Sequence, residues 1–343
     1  MPFLRNTWYC AGWSQHVTRT PIARLILGRP VMLFRKTDGD VAAMDDACAH
    51  RFAPLHKGEL DGDVITCPYH GLAYDSRGVC ILNPHGDGRI PPRTQVRAYP
   101  VHELQGAVWI WPGDPALANP ALIVDLDIVN NDPSRMLTGH LEMPIDYRII
   151  LDNLLDLTHT SYVHRGTFST GGKTRDAKFE SSGDYVRATY IDHDVETPPS
   201  QKPFFDEPRG DYHTYIDWHA PGILHNAIMM TRTNEDRMAG SVMKSGHIIT
   251  PATEGSSHYF WYSTRNRRVE DPEIDERLRT IINRAFTQED EPMMEACQAY
   301  MGGHGDLYEL KAISLPSDEA ALRVRRIMER LIAGEQQQGA KIA

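Results

Sequence analysis

Cys48-Ala49-His50 and, sixteen residues further on, Cys67-Pro68-Tyr69-His70 each bring one thiol and one imidazole into a short segment. The resulting pattern, Cys-x-His-x16-Cys-x2-His, offers four metal ligands of two kinds. Tetrahedral zinc would accept the set, but zinc modules usually pair cysteines with cysteines and histidines with histidines along the chain. A two-iron, two-sulfide cluster with both cysteines on one iron and both histidines on the other needs this mixed pairing, and neutral imidazoles in place of thiolates raise its potential. Cys48, His50, Cys67 and His70 are therefore the expected cluster ligands. Cys10, Cys80 and Cys297 have no histidine at comparable spacing and read as packing residues.

A second constellation lies in Asp152-Asn153-Leu154-Leu155-Asp156-Leu157-Thr158-His159-Thr160-Ser161-Tyr162-Val163-His164. Asp156 and His159, three apart, are expected on one helix face. His159 and His164 are five apart, about 140° around an ideal helix, so both reach one ion only if the helix loosens or ends between them. Thr160, Tyr162 and Val163, poor helix formers, make room for that. Two histidines and one carboxylate on one side of a ferrous ion leave the opposite positions open for dioxygen. The candidate third ligand lies in Gln288-Glu289-Asp290-Glu291-Pro292, where Pro292 interrupts a helical pattern and a carboxylate could turn inward at the break. Taken alone, such an acidic run reads more readily as a solvated helix face.

These ligands need elements to hold them. In the first third of the chain, β-type runs flank turn signals: Val31 to Lys36 and Val41 to Met44 around Asp38-Gly39, Ala73 to Asp75 and Val79 to Leu82 around Arg77-Gly78, Val101 to Leu104 and Ala107 to Trp111 around Gln105-Gly106. The pattern predicts a small all-β domain ending at the breaker Trp111-Pro112-Gly113-Asp114-Pro115, with a boundary near residue 118. Beyond it, helix-like stretches at Asp146 to His159 and after Asp271 alternate with strand-like segments at Tyr185 to Tyr190 and His258 to Tyr262, an α+β reading. Near the C-terminus Ser317 is a plausible N-cap for a packing helix that runs to Gly334, with Gln336 to Gln338 as a frayed end.

The bulk numbers narrow the classes. Three hundred and forty-three residues favour two domains. Thirty-six basic against 46 acidic residues argue against a surface built for nucleic acid phosphates. The charge is uneven: residues 1–118 hold 12 basic and 11 acidic side chains, residues 119–343 hold 24 and 35. Five cysteines in a long chain make a disulfide framework unexpected. The start, Met-Pro-Phe-Leu-Arg, lacks a basic region followed by an apolar core, and no run of about 18 apolar residues follows, so a cytoplasmic protein without membrane contact is expected. No nucleotide-binding glycine motif is present, so reducing equivalents from NAD(P)H are expected to arrive through a separate reductase or ferredoxin.

The four-ligand motif, with Arg51 after its first pair and Gly71 after its second, resembles the Rieske pattern. Together with Asp152 to His164, Arg5-Asn6-Thr7-Trp8-Tyr9, Trp109 to Pro115 and Gln288-Glu289-Asp290, it resembles the oxygenase component of Rieske non-haem iron oxygenases, nearest the vanillate O-demethylase and dicamba monooxygenase group. The resemblance covers nearly the whole chain. It implies a Rieske [2Fe-2S] domain over 1–118 and an α+β catalytic domain with an antiparallel sheet over 119–343. It implies His159, His164 and Asp290 as ligands of a mononuclear Fe(II), Asn153 beside that iron and Asp156 as the link between the two metal centres. It also implies a homotrimeric ring in which the cluster of one subunit serves the iron of its neighbour. A carboxylate at Asp156 within reach of His159 would orient that ring, and its other oxygen could accept a proton from His70 of the neighbour.

Substrates of this group are small aromatics, commonly methoxylated acids such as vanillate, whose O-methyl is hydroxylated and lost as formaldehyde. Asn226 and His247 resemble the group's substrate-contacting positions, although each also reads as a satisfied core polar residue. N-dealkylation of an aromatic amide and hydroxylation of an aryl methyl group are alternatives that the sequence does not separate. A pure electron carrier would leave the twin histidines unused, and a zinc hydrolase built on His159, His164 and Asp290 would leave the Rieske motif without purpose. Arg51, Lys57, Arg77, Arg89 and Arg93 lie in or near the cluster-bearing segments, where they would steer an acidic reductase if they surround the histidines.

Overall fold

The computed structural model describes residues 3–169, 176–303, 305, 307 and 309–342. The chain divides into two compact units, residues 1–125 with 250–254 and residues 126–249 with 255–343.

The first unit is built from β1 (Tyr9–Trp13), β2 (Ile22–Ile26), β3 (Arg29–Arg35), β4 (Val41–Asp45), β5 (Glu59–Asp61), β6 (Val64–Thr66), β7 (Ala73–Tyr74), β8 (Cys80–Leu82), β9 (Ala98–Tyr99), β10 (Val101–Leu104) and β11 (Ala107–Ile110). They form three sheets, ordered β1-β11-β10, β2-β3-β4-β9 and β5-β6-β7-β8. The three expected hairpins are present as the antiparallel pairs β3/β4, β7/β8 and β10/β11. At the first turn Gly39 takes φ +97°, a left-handed conformation that glycine adopts without a Cβ clash. Met32, Phe34, Met44, Leu55, Ile65 and Tyr74 form a core that includes Cys48 and Cys67.

Two loops of this unit are twins. After β4, Cys48 N–H donates to Ala53 O and Phe52 N–H to Cys48 O; after β6, Cys67 N–H donates to Leu72 O and Gly71 N–H to Cys67 O. Each loop closes through a residue with positive φ, Phe52 at +58° and Gly71 at +72°. The conformation is strained for a phenylalanine, and its side chain stands 78% exposed.

The second unit carries a seven-stranded sheet of β12 (Leu137–Met143), β13 (Asp176–Ser182), β14 (Tyr185–Glu196), β15 (Arg209–His219), β16 (Ile223–Thr231), β17 (Ser241–Thr253) and β18 (Ser256–Arg265), ordered β12-β18-β17-β16-β15-β14-β13. Its helices are α1 (Tyr147–Leu155), α2 (Thr160–Val163), α3 (Pro272–Arg284), α4 (Glu291–Tyr300) and α5 (Glu319–Ile342). Arg325 of α5 donates from Nε to Asp152 Oδ1 of α1 at 3.0 Å, fixing the C-terminal helix to the first one. Among the described residues no helix is long and apolar enough to cross a membrane.

Three local expectations need correction. The helix expected over Asp146 to His159 stops at Leu155, because Asp156 adopts extended geometry (φ −109°, ψ 95°) and its carboxylate caps a new 3-10 turn over Leu157–His159. Asp156 and His159 therefore do not share a helix face. The helix before Pro292 does not break: residues Ala285–Asp290 form a π-helical turn, and Pro292 stands in the first turn of α4, where its missing N–H costs little. At the C-terminus Leu315, not Ser317, precedes the first turn, its N–H bonded to Asp318 Oδ2, and α5 continues through Gly334 and Gln336 to Gln338.

Candidate metal centres and substrate pocket

In the first unit, the twin loops hold the four expected ligands at two depths. Cys48 and Cys67 are each 2% exposed, whereas His50 is exposed and His70 half-buried. The two imidazole rings lie 4.6 Å apart, centroid to centroid. Burial, followed by the proximity of Cys48, pushes the Cys67 thiol up, against the pull of the Tyr69 and His70 N–H groups that point at its sulfur. The Tyr74 hydroxyl lies 3.2 Å from Cys48 Sγ. Two inner sulfurs and two outer imidazoles are the donor set a cluster with chemically distinct irons requires, so the residues present fit that group. His85 holds the outer edge, with Nε2 2.8 Å from the His70 carbonyl. Of the basic residues expected nearby, Arg77 is engaged by Asp75 at 2.7 Å, while burial first, then His50 and then Arg51 lower the pKa of His70.

In the second unit, the end of α1 and the following turns place His159 and His164 beside the π-helical turn. His159 has helical geometry, one turn of α2 follows, and His164 (φ −100°, ψ 36°) leaves the helix. That single turn and its abrupt end bring the rings to 5.2 Å and aim both Nε2 atoms at Asp290 Oδ1, at 3.6 Å and 3.2 Å. The three ligand atoms lie within 4.8 Å of one another. Asp290 is 4% exposed, so this member of the acidic run is not solvated. Asn153 Nδ2 donates to the same Oδ1 at 3.2 Å.

Each imidazole is oriented through its other nitrogen. His159 Nδ1 lies 2.5 Å from the backbone carbonyl of Asp156, while the Asp156 carboxylate accepts from Thr158 N–H at 2.8 Å. The ring is thus propped by the main chain, not by the side chain expected to do it. His164 Nδ1 meets Glu289 Oε2 at 2.8 Å, and Glu289 is itself held by the Thr167 hydroxyl and Arg284. Burial lowers the pKa of His159. Burial acts the same way on His164, but Asp290 and Glu289 outweigh it and raise that ring's pKa. Two neutral Nε2 lone pairs and a buried carboxylate suit a divalent iron, which would displace any proton held between them. Glu289 escaped the sequence reading because, within an acidic run, nothing local distinguishes it from a solvated neighbour.

A cavity of about 730 Å³, open mouth included, adjoins these ligands. Leu157, Thr160 and Phe168, which flank the histidines in sequence, form one wall, and Phe168 lies edge-on to His164 at 5.5 Å. The opposite wall is one face of the sheet. Register pairs Asn226 with Ser245 and Ile228 with Met243, and alternation adds Thr214, His247 and Trp261. Asn226 Oδ1 is buried with no partner among the described residues. His247 Nδ1 lies 2.7 Å from the Tyr259 hydroxyl, and burial lowers the ring to about 4. Both residues expected at the substrate therefore line one cavity, and the described lining contains no charged side chain.

Residues 7–100 match the Rieske [2Fe-2S] domain, and residues 143–334 match the vanillate O-demethylase oxygenase C-terminal domain. The chain is 37% identical to the oxygenase component of dicamba O-demethylase from Stenotrophomonas maltophilia, over 96% of this chain and 98% of that one. It is 35% identical to the oxygenase component of chloroacetanilide N-alkylformylase from Rhizorhabdus wittichii, over 97% of each. The crystal structure of dicamba monooxygenase bound to 3,6-dichlorosalicylic acid superposes with a TM-score of 0.90 at 36% identity, covering 99% of this chain and 100% of that one.

Proposed function

The chain belongs to the Rieske non-haem iron oxygenases, and from that premise we propose that it demethylates a small methoxylated aromatic acid, releasing formaldehyde. It is a terminal oxygenase component whose cofactors are a Rieske [2Fe-2S] cluster and a mononuclear non-haem iron, with electrons supplied by a separate protein. In this reading Cys48, His50, Cys67 and His70 hold the cluster, within a domain spanning 1–118, and His159, His164 and Asp290 hold the iron, within a catalytic domain spanning 119–343.

The observation that carries the substrate reading is the pocket wall: a cavity without charged side chains onto which Asn226 brings an amide and His247 an imidazole, beside the hydroxyls of Thr214 and Ser245. His247 stays neutral because burial lowers it to about 4. With the protonated Tyr259 hydroxyl donating to Nδ1, its Nε2–H is left to donate into the cavity. Asn226 and His247 then hold a substrate carboxylate or carbonyl by hydrogen bonds, and the apolar wall packs the ring and its methyl group toward the iron ligands. Iron held by His159, His164 and Asp290 would supply dioxygen activation there; the overall balance would place one oxygen atom in the methyl C–H bond and release the other as water with two electrons and two protons, the resulting hemiacetal splitting into formaldehyde and the phenol. The same geometry serves N-dealkylation, which the likeness to the N-alkylformylase favours as the second reading.

Asp156 is the residue through which electrons would enter. A second hollow, lined by Asn153, Asp156, His159, Ile313 and Leu315, opens beside it, with Ile313 88% and Leu315 58% exposed. Apolar surface of this kind beside the half-buried Asp156 carboxylate fits the cluster-bearing face of a neighbouring subunit in a homotrimer. Methoxybenzoates, N-alkyl anilides and aryl methyls offered with a compatible reductase test the reading. Formaldehyde from a methoxybenzoate, lost in Asn226→Ala and His247→Ala with iron retained, is the expected result; product from the anilides alone moves the chemistry to nitrogen.

A further inference from the structure

On the sheet face opposite the pocket, a second group of metal-type side chains comes together. His140 and Glu142 lie two apart on β12, an edge strand, so they project from the same face. His258 on β18 stands directly across from Glu142, and Phe260 directly across from His140. Alternation puts His258 and Phe260 on this face and Tyr259, which bonds His247 in the pocket, on the other. One nitrogen from each histidine and a Glu142 oxygen lie within 4.8 Å of one another.

We propose that His140, Glu142 and His258 form a second divalent-cation site, of the zinc class, separate from the iron centre. The distances support it. Two nitrogens bound to one zinc at about 2.05 Å and a tetrahedral angle stand about 3.3 Å apart, and His140 Nε2 lies 3.2 Å from His258 Nδ1. The rings are held in place for this. His140 stacks on Phe260 at 4.4 Å with 19° between planes, Phe260 is 1% exposed, and His258 is 5% exposed. Glu142 is exposed, so the ion enters from solvent, and the fourth position goes to water. Two imidazoles and one carboxylate select a borderline cation over calcium or magnesium, which prefer all-oxygen sites. Bound there, zinc ties the edge strand β12 to β18.

The test uses the holoenzyme with both iron centres filled. Equilibrium dialysis against zinc chloride, with metal content per chain by mass spectrometry, should show one zinc gained and no iron lost. His140→Ala should abolish the uptake. Glu142→Gln, an exposed substitution with little effect on folding, should weaken it by about ten-fold or more, since even supporting partners of metal ligands cost that much. Zinc should also raise the unfolding temperature of the wild type and not of His140→Ala. No zinc uptake by the iron-loaded wild type, uptake matched by iron loss, or wild-type affinity retained in either variant would each overturn the site.

Discussion

Glu289 Oε2 lies 2.8 Å from His164 Nδ1, while Asp290, the next residue in the chain, meets Nε2 of the same ring. One dipeptide thus addresses both edges of one imidazole, Asp290 from the ligand side and Glu289 from behind. A carboxylate behind a ligating histidine fixes its tautomer and raises its basicity, and losing such a partner costs about 10–100-fold in metal affinity. Glu289→Ala should therefore bind iron about 10–100-fold more weakly while keeping the full [2Fe-2S] absorption. Iron titration of the cluster-loaded variant measures this; wild-type affinity would show that the His164 ring keeps its orientation without Glu289.

Asp156 separates two roles that the structure divides between its main chain and its side chain. The carbonyl props His159, and no side-chain change removes it. Asp156→Asn keeps an N-cap of comparable strength for Thr158 N–H and should retain iron and cluster. Its turnover should nevertheless fall by about a hundred-fold or more if the carboxylate carries the link between centres, an amide being a weaker acceptor from imidazole. Single-turnover oxidation of the reduced cluster at the wild-type rate would assign the residue to capping alone.

The Tyr74 hydroxyl lies 3.2 Å from Cys48 Sγ, where it would donate to the thiolate of a bound cluster and favour its more electron-rich, reduced form. Taking a net hydrogen bond at about 1 kcal/mol, Tyr74→Phe should lower the reduction potential by about 40 mV. Potentiometric titration reads the shift directly, and an unchanged potential would mean that the hydroxyl serves Ala49 N–H, its other partner at 3.3 Å.

His225 makes stability pH-dependent. Burial lowers it to about 4, with His219 and Lys244 acting in the same direction and Asp127 and Asp217 opposing. Below its ordinary value of about 6.5 the unfolded chain takes up a proton that the folded chain refuses, so stability falls as pH falls toward 4 and is level above 7. From this residue about 2 kcal/mol should be lost between pH 7 and pH 5. His225→Leu should lose correspondingly less over that interval, as measured by urea unfolding at both pH values. His247 shifts the same way and leaves a residual slope.

What was legible in the sequence was local. The Rieske domain announces itself by the spacing of Cys48, His50, Cys67 and His70, and the hairpins around Asp38-Gly39 and Gln105-Gly106 by turn chemistry between apolar runs. His159 and His164 were legible as a pair whose geometry required the helix to end, and it ends at His164. What was hidden depends on contacts between distant segments. Glu289 reaches His164 across 125 residues, and the hydroxyl of Tyr259 finds His247 through sheet register. The carbonyl of Asp156 was hidden for a different reason: main-chain atoms are the same in every residue, so no side-chain pattern marks the one that is used. The triad of His140, Glu142 and His258 likewise exists only once β12 pairs with β18.

The π-helical turn at Ala285–Asp290 makes chain length a functional quantity. Elsewhere on α3 and α4 a substitution changes one side chain and leaves its neighbours where they were. Here one residue is absorbed by the wide turn: a turn closed by i→i+5 bonds takes one residue more than an α-helical turn, so α4 keeps nearly the phase it would have with one residue fewer. Removing a residue inside the turn would let it close as a regular α-helix with Asp290 near its present direction, whereas removing one from the regular part of α3 would turn Asp290 by about 100° without altering its identity. Tolerance to single-residue deletions, mapped along this helix, would then mark the π turn as the stretch in which the spacing to Asp290 can change and its direction survive.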